Sequence, residues 1–287
     1  MSITIAILTL PLLLATPKPG QTAGAVEAAA TGQEDLLARG RELIEKGQWA
    51  RAIEVLGKLR AKGDTSIPLR LALGRAQLGL EMYQQALIEF SEVLKLEPNN
   101  LEANLGRAES LIGLGDARKA RGPAQLVATL QPENHRAWLL LGQAGLHPQL
   151  RDYPAAEKAL RRARRLAPDD REANLGLARA LSFQKKVEEA IEVLRAWLQR
   201  HPEDVPARVR LAESLYAVRD LEEGERQVRK ALQQEPGDSE ARRVLKEIQS
   251  RRAYDFWIPV VALVAFPVLF LLIRRMRRGR EIKEKDG

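Results

Sequence analysis

The sequence predicts an all-α fold made of stacked helical hairpins, and three observations predict it. Small residues and prolines recur at a spacing of 34 through residues 33–238. Aromatic residues make up only 5% of the chain while Ala, Leu, Arg and Glu are abundant, and these lose little rotamer freedom in a helix. Val, Ile, Tyr and Thr never cluster in the alternating runs that mark a strand.

The repeat divides into frames 33–66, 67–100, 101–134, 135–170, 171–204 and 205–238. Two stretches show it by eye: EPNNLEANLGRAESL from Glu97 and APDDREANLGLARAL from Ala167. Only the fourth frame deviates in length, with two extra residues in the loop HPQLRDYP. Position 8 of the frames is Gly40, Gly74, Ala108, Gly142, Ala178 and Ala212; position 20 is Ala52, Ala86, Ala120, Ala156, Ala190 and Gly224. Small residues are needed where the two helices of a hairpin cross closely. Position 32 is Pro98, Pro132, Pro168, Pro202 and Pro236, with Asp64 the exception, and proline there ends the second helix. Larger apolar side chains recur at position 24 as Leu56, Phe90, Leu160, Leu194 and Val228, placed to pack between neighbouring hairpins. The third frame is the most degenerate, with Arg107 at position 7 and Gly122-Pro123 inside its second helix, which predicts a kink or a shortened helix.

Small residues at 8 and 20, proline at 32 and apolar residues at 7, 11 and 24 resemble the tetratricopeptide repeat (TPR) family over residues 33–238. The resemblance implies a right-handed superhelix of six helix-turn-helix repeats. Residues 239–252 are similar to the polar-faced helix that closes such stacks. It also implies that positions 2, 5, 9 and 12 point into a concave groove for a protein partner. Position 5 is Leu37, Leu71, Leu105, Leu139, Leu175 and Val209, without a polar exception. Position 12 is Ile44, Leu78, Ile112, Leu146, Ser182 and Tyr216, two helical turns further on the same face. Position 9 is polar throughout and supplies Arg75, Glu109 and Arg179 to the candidate groove. Two readings of the aliphatic row stand: an apolar groove for an amphipathic helix or extended peptide, or packing against adjacent hairpins. The Lys/Asn two-carboxylate clamp of chaperone-binding family members needs polar residues at positions 5 and 6. Here those are Leu, Val, Ala, Gly or Arg, which argues against a C-terminal acidic motif bound in that manner.

Both ends of the chain are apolar. Phe256 to Ile273 reads FWIPVVALVAFPVLFLLI, 18 residues without a charge. At about 1.5 Å per residue that is roughly 27 Å, so a C-terminal transmembrane helix is expected there. Tyr254 and Trp257 flank one end, and Arg274, Arg275, Arg277, Arg278 and Arg280 the other. Ile3 to Ala15 has signal-peptide length, and Ala23-Gly24-Ala25 fits a cleavage site, although no Lys or Arg precedes Lys18. The expected layout is a signal peptide at 1–25, a linker at 26–32, a span at 256–273 and a basic cytoplasmic tail at 274–287. The positive-inside rule then places a single-pass protein in the inner membrane with its repeats in the periplasm.

The remaining chemistry is excluded by its absence from the residues. Net charge is +8, but the last 14 residues alone hold seven Lys/Arg and three Asp/Glu, and elsewhere the signs are interleaved, so no nucleic-acid partner is expected. There is no cysteine, and His135, His147 and His201 are scattered, so neither a metal nor a catalytic constellation emerges. The expectation is therefore a non-catalytic, cofactor-free scaffold for protein partners, supporting assembly of a bacterial envelope complex. The alternatives are a tail-anchored adaptor facing the cytoplasm and an accessory subunit of a membrane enzyme complex. Oligomeric state is not legible in the sequence.

Overall fold

The computed structural model describes residues 33–283, with side chains through residue 265 except 262 and 264. The expected signal peptide (1–25), the linker (26–32) and the last four residues of the tail lie outside the described residues. Over the described range the protein is all-α, in thirteen helices. The chain divides into two compact units, the first ending at Leu114 and the second starting at Gly115. That boundary falls in the turn between the two helices of the third frame.

The first unit contains α1 (33–45), α2 (Trp49–Ala61), α3 (Ile67–Gly79), α4 (Tyr83–Leu96) and α5 (Leu101–Gly113). Its core shows why position 8 is small. Phe90 of α4 is fully buried, and its ring lies against Gly74 of α3 on one side and Gly106 of α5 on the other. Leu56 of α2 lies in the same way on Gly40. Trp49 covers Gly79 and Tyr83 covers Gly113, so an aromatic at position 17 sits on a glycine at position 13 of the next frame. One buried charge joins three helices' worth of chain: Glu89 accepts from Arg60 at 2.6 Å and from Arg70 at 3.4 Å.

The second unit contains α6 (Ala117–Leu130), α7 (His135–Leu146), α8 (Tyr153–Leu166), α9 (Arg171–Phe183), α10 (Val187–Arg200), α11 (Val205–Ala217), α12 (Leu221–Gln234) and α13 (Ser239–Lys283). Pro123 does not shorten α6, which runs 14 residues like α8, α10 and α12. A proline at the seventh helical position removes one backbone donor, and the burial of Ala120, Ala124, Val127 and Ala128 offsets that loss. Hydrophobic packing is continuous from α7 to α11, with Leu160 of α8 on Gly142 of α7 and Leu177, Leu181 and Leu194 fully or almost fully buried.

Turns and caps repeat as faithfully as the core. The residue two before the second helix of every hairpin has a left-handed backbone: Gly47, Glu81, Gly115, Arg151, Lys185 and Arg219. Asn100, Asp116, Asn134, Asp152, Asp170, Asp204 and Asp220 cap the helices that follow them by accepting a backbone N–H. Asn104 and Asn174, from the two EANLG/REANLG stretches, each donate to the preceding proline carbonyl, Pro98 and Pro168.

The C-terminal expectation is corrected. Residues 239–252 are not a separate closing helix but the start of α13, a single helix of 45 residues. Its first turns dock through Ala241, Val244 and Ile248, which join Val209, Ala212 and Val228 in one core cluster. Among the described residues no helix is long and apolar enough to cross a membrane. The transmembrane helix at Phe256–Ile273, membrane association through it and the single-pass, periplasm-facing localisation built on it are accordingly withdrawn.

Candidate partner-binding cleft

The structure places the aliphatic row of position 5 between core and surface. In the first unit Leu37 and Leu71 are half-buried against the Leu56 and Phe90 clusters, and Leu105 is buried. In the second unit Leu139 and Val209 are core residues of two separate clusters, and Leu175 is half-buried against the one that holds Leu139. Tyr216 packs, half-buried, against the Val209 cluster. The charged row stays accessible: Arg75 is exposed and paired with Glu102 at 2.6 Å, Glu109 is half-buried, and Arg179 is exposed.

Each unit carries one recess on this row. In the first, Ile44, Leu71, Arg75 and Glu102 help to line a hollow of about 130 Å³. In the second, a cleft of about 250 Å³ opens between α9, α10 and α11. Of the ten groove candidates, Leu71 and Arg75 line the first recess and Arg179 lines the second. The others are not brought together at either.

The larger cleft exists because α9 and α11 are held apart. In the second unit α7 packs along α9 and α11 along α13, whereas α9 and α11 make no comparable backbone contact. Position 6 differs along this row. It is Gly176 where α9 meets α7 and Gly106 where α5 meets α3, but Arg210 where α11 would meet α9.

The walls follow from neighbouring departures from the repeat. Position 13, glycine in α3 and α5, is Phe183 at the end of α9. Its ring stacks on Tyr153 at 4.6 Å between centroids and remains 48% exposed, forming one wall. Val187 and the almost fully buried Leu194 of α10 make the floor, with Ala178 and Ala217 beside them. Ser182 and Ser214 add no free donor inward, because each hydroxyl donates to the carbonyl four residues earlier, at Ala178 and Arg210.

Charge sits at the mouth. Arg179 lies over the Phe183 ring, 5.5 Å from its centroid. Among the described residues neither Arg179 nor Arg210 has a carboxylate within ion-pairing distance. The one acid lining the cleft, Glu213, is engaged by Arg243 of α13 at 2.7 Å. The cleft therefore combines an apolar interior with a net positive rim. Phe183 and Arg210 were missed from sequence because they break the repeat at positions 13 and 6; that breakage was the available signal. No group of three or more His, Cys, Asp or Glu that could hold a metal occurs among the described residues.

Comparison with known proteins agrees with the hairpin geometry. Residues 128–242 match the family model of the cytochrome c-type biogenesis protein H TPR domain, and residues 69–132 match a tetratricopeptide repeat model. The search of curated proteins gave no match. Among solved structures the chain is similar to a tetratricopeptide repeat protein from Parabacteroides merdae, with TM-score 0.61 and 19% identity over 78% of this chain and 88% of that one. It is also similar to YrrB, described as a TPR protein with an unusual peptide-binding site, with TM-score 0.53 and 20% identity over 69% of this chain and 97% of that one. A thermophilic TPR protein in Thermus thermophilus matches with TM-score 0.52 and 22% identity, over 64% and 99% of the two chains. These identities establish the fold. With the two family models and the repeated hairpins they show that the helical scaffold of this chain is built of tetratricopeptide repeats.

Proposed function

We propose that this protein is a non-catalytic scaffold that holds a segment of a protein partner against the first-helix face of its repeats, in the assembly of c-type cytochromes. The match of residues 128–242 to the TPR domain of cytochrome c-type biogenesis protein H carries the reading. The cleft between α9 and α11 lies wholly inside that stretch. Half-buried Leu71 with Arg75 and Glu109 in the first unit, and half-buried Leu175 and Tyr216 with Arg179 in the second, each offer apolar contact flanked by charge, which suits an amphipathic helix or an extended peptide. A peptide-binding site is also what the description of YrrB names for that protein. The sequence expectation of an envelope assembly scaffold is thereby narrowed to one assembly process.

The experiment pairs site-specific photo-crosslinking with a haem readout. A photo-reactive residue at Arg75 or Arg179 of the full chain should capture a c-type cytochrome polypeptide or an assembly protein for one. Cells lacking the protein should show reduced covalent haem on c-type cytochromes by peroxidase staining of denaturing gels. Unchanged staining would refute the assignment to cytochrome assembly.

A further inference from the structure

The inference concerns what the α9–α10–α11 cleft takes, and it rests on the scaffold reading above. We infer that this cleft is the specificity pocket of the scaffold, seating one large apolar side chain of the partner whose immediate neighbour is an Asp or Glu.

The size argues for a single side chain. About 250 Å³ lies below the range of roughly 300–1,000 Å³ in which small-molecule sites are found, but it holds one Phe or Leu with room to enter. The interior argues for an apolar one. Phe183, Val187 and Leu194 offer no donor, and the two serine hydroxyls are already committed to helix carbonyls. A buried polar group brought here would lose its water without gaining a partner, which costs more than it returns.

Charge complementarity identifies the neighbour. Arg179 and Arg210 stand at the mouth on opposite helices, α9 and α11, with no carboxylate in reach among the described residues. Several other arginines of this unit are answered: Arg171 by Asp204, Arg161 by Glu157 and Glu189, Arg226 by Glu222 and Glu223, Arg243 by Glu213 and Glu247. Among the described residues Glu213 is paired with Arg243 and forms no ion pair with Arg210. Two guanidinium groups on helices α9 and α11 beside one apolar recess fit a carboxylate carried by the incoming segment. The arrangement differs from the two-carboxylate clamp, since position 5 on both helices is apolar, Leu175 and Val209.

The test uses the full chain and a fluorescein-labelled synthetic 14-residue peptide with one Phe between two Glu in a Gly/Ser background. Fluorescence anisotropy at low salt should show binding that weakens about three- to tenfold when Phe is replaced by Ala or both Glu by Gln. Arg179→Ala and Arg210→Ala should each weaken it about threefold or more, while Lys95→Ala, an exposed charge on α4 of the first unit paired with Glu92, leaves it unchanged. Circular dichroism on each variant keeps loss of fold separate from loss of binding. Phe183→Leu supplies a second variant, which keeps an apolar wall and should retain the preference for the acidic peptide.

Equal binding of the Glu and Gln peptides, or binding insensitive to both arginines, would overturn the pocket assignment. So would no binding of the Phe/Glu peptide at all. In each of those cases a crosslinked cytochrome-assembly partner and a haem defect would still leave the scaffold reading standing. Loss of the haem phenotype alongside intact peptide selectivity would sink the scaffold's assignment and keep the pocket.

Discussion

Replacing Asp204 with Ala should destabilise the second unit by about 3 kcal/mol, and the figure can be assembled from its bonds. The carboxylate is buried at the N-terminus of α11, where it accepts from the backbone N–H of Ala207 at 3.0 Å, from Trp197 Nε1 at 2.9 Å and from Arg171 at 2.7 and 3.0 Å. Losing the helix cap costs about 1 kcal/mol. Trp197 is 3% exposed, so its indole N–H is left in a dry site without an acceptor, at a further ~1–3 kcal/mol. Arg171 is half-exposed and turns to water, so its share is discounted to about 0.5 kcal/mol. The assay is urea unfolding followed by far-UV circular dichroism, with hydrogen exchange of α9–α11 as the local reading because repeat arrays need not unfold in one step. Trp197→Phe removes the stranded donor, so in that background Asp204→Ala should cost about 1–2 kcal/mol less. A cost below about 1 kcal/mol, or additive single and double variants, would refute the argument that the carboxylate ties three helices together.

Three further outcomes follow from the same geometry. Burial pushes the Asp204 carboxyl up, but Arg171, the Ala207 amide and Trp197 outweigh it and hold it below its ordinary value of 3.8. The folded state therefore binds that proton less readily than the unfolded chain, so the clasp's stability is complete above the ordinary value and is lost as pH falls through the lower folded one; acid unfolding of Asp204→Ala should be shallower than that of the native protein. Gly106→Ala should cost several kcal/mol in thermal unfolding, because its methyl group meets the Phe90 ring, which Gly74 already confines from the other side. Gly57→Ala, with open space around it inside α2, should instead stabilise by about 0.5–1 kcal/mol. Glu225→Ala removes the carboxylate that Arg229 of α12 and Arg252 of α13 share, and should speed hydrogen exchange in the first turns of α13 with little change in α7–α9.

Much of the fold was readable because each hairpin solves the same problem with the same residues. A bulky side chain at position 24 needs a missing one at position 8, so Leu56 with Gly40, Phe90 with Gly74 and Leu160 with Gly142 stand out as a pattern in the sequence alone. The proline at position 32 is equally plain, but its partner was not: Asn104 and Asn174 matter by donating to Pro98 and Pro168, a link that no periodicity of hydrophobic residues marks. Pro123 misled for the opposite reason. Local chemistry says a proline breaks a helix, while the burial of one face of α6 keeps it whole. The C-terminal run misled when read as letters alone, because it is one part of a 45-residue helix that begins with charged, docked turns, and among the described residues no helix is long and apolar enough to cross a membrane.

The candidate site was least legible because it is written in exceptions. Consensus residues of a repeat specify close packing, and a surface where every position obeys the consensus is a surface without a recess. In the first unit Trp49 and Tyr83 lie flat on Gly79 and Gly113, closing the ridge between successive hairpins. In the second unit the same two positions hold Tyr153 and Phe183, and two rings cannot share the space of one. Phe183 is 48% exposed, Arg210 stands on α11 facing the same gap, and both line the cleft. Restoring the consensus is thus a direct structural test of how the site arises. Phe183→Gly with Arg210→Gly should bring α9 and α11 into the contact seen between α7 and α9, protect their amides further from exchange, and abolish acidic-peptide binding while the hairpins remain helical. Persistence of the cleft in a crystal structure of that double variant would show that something other than these two side chains holds it open.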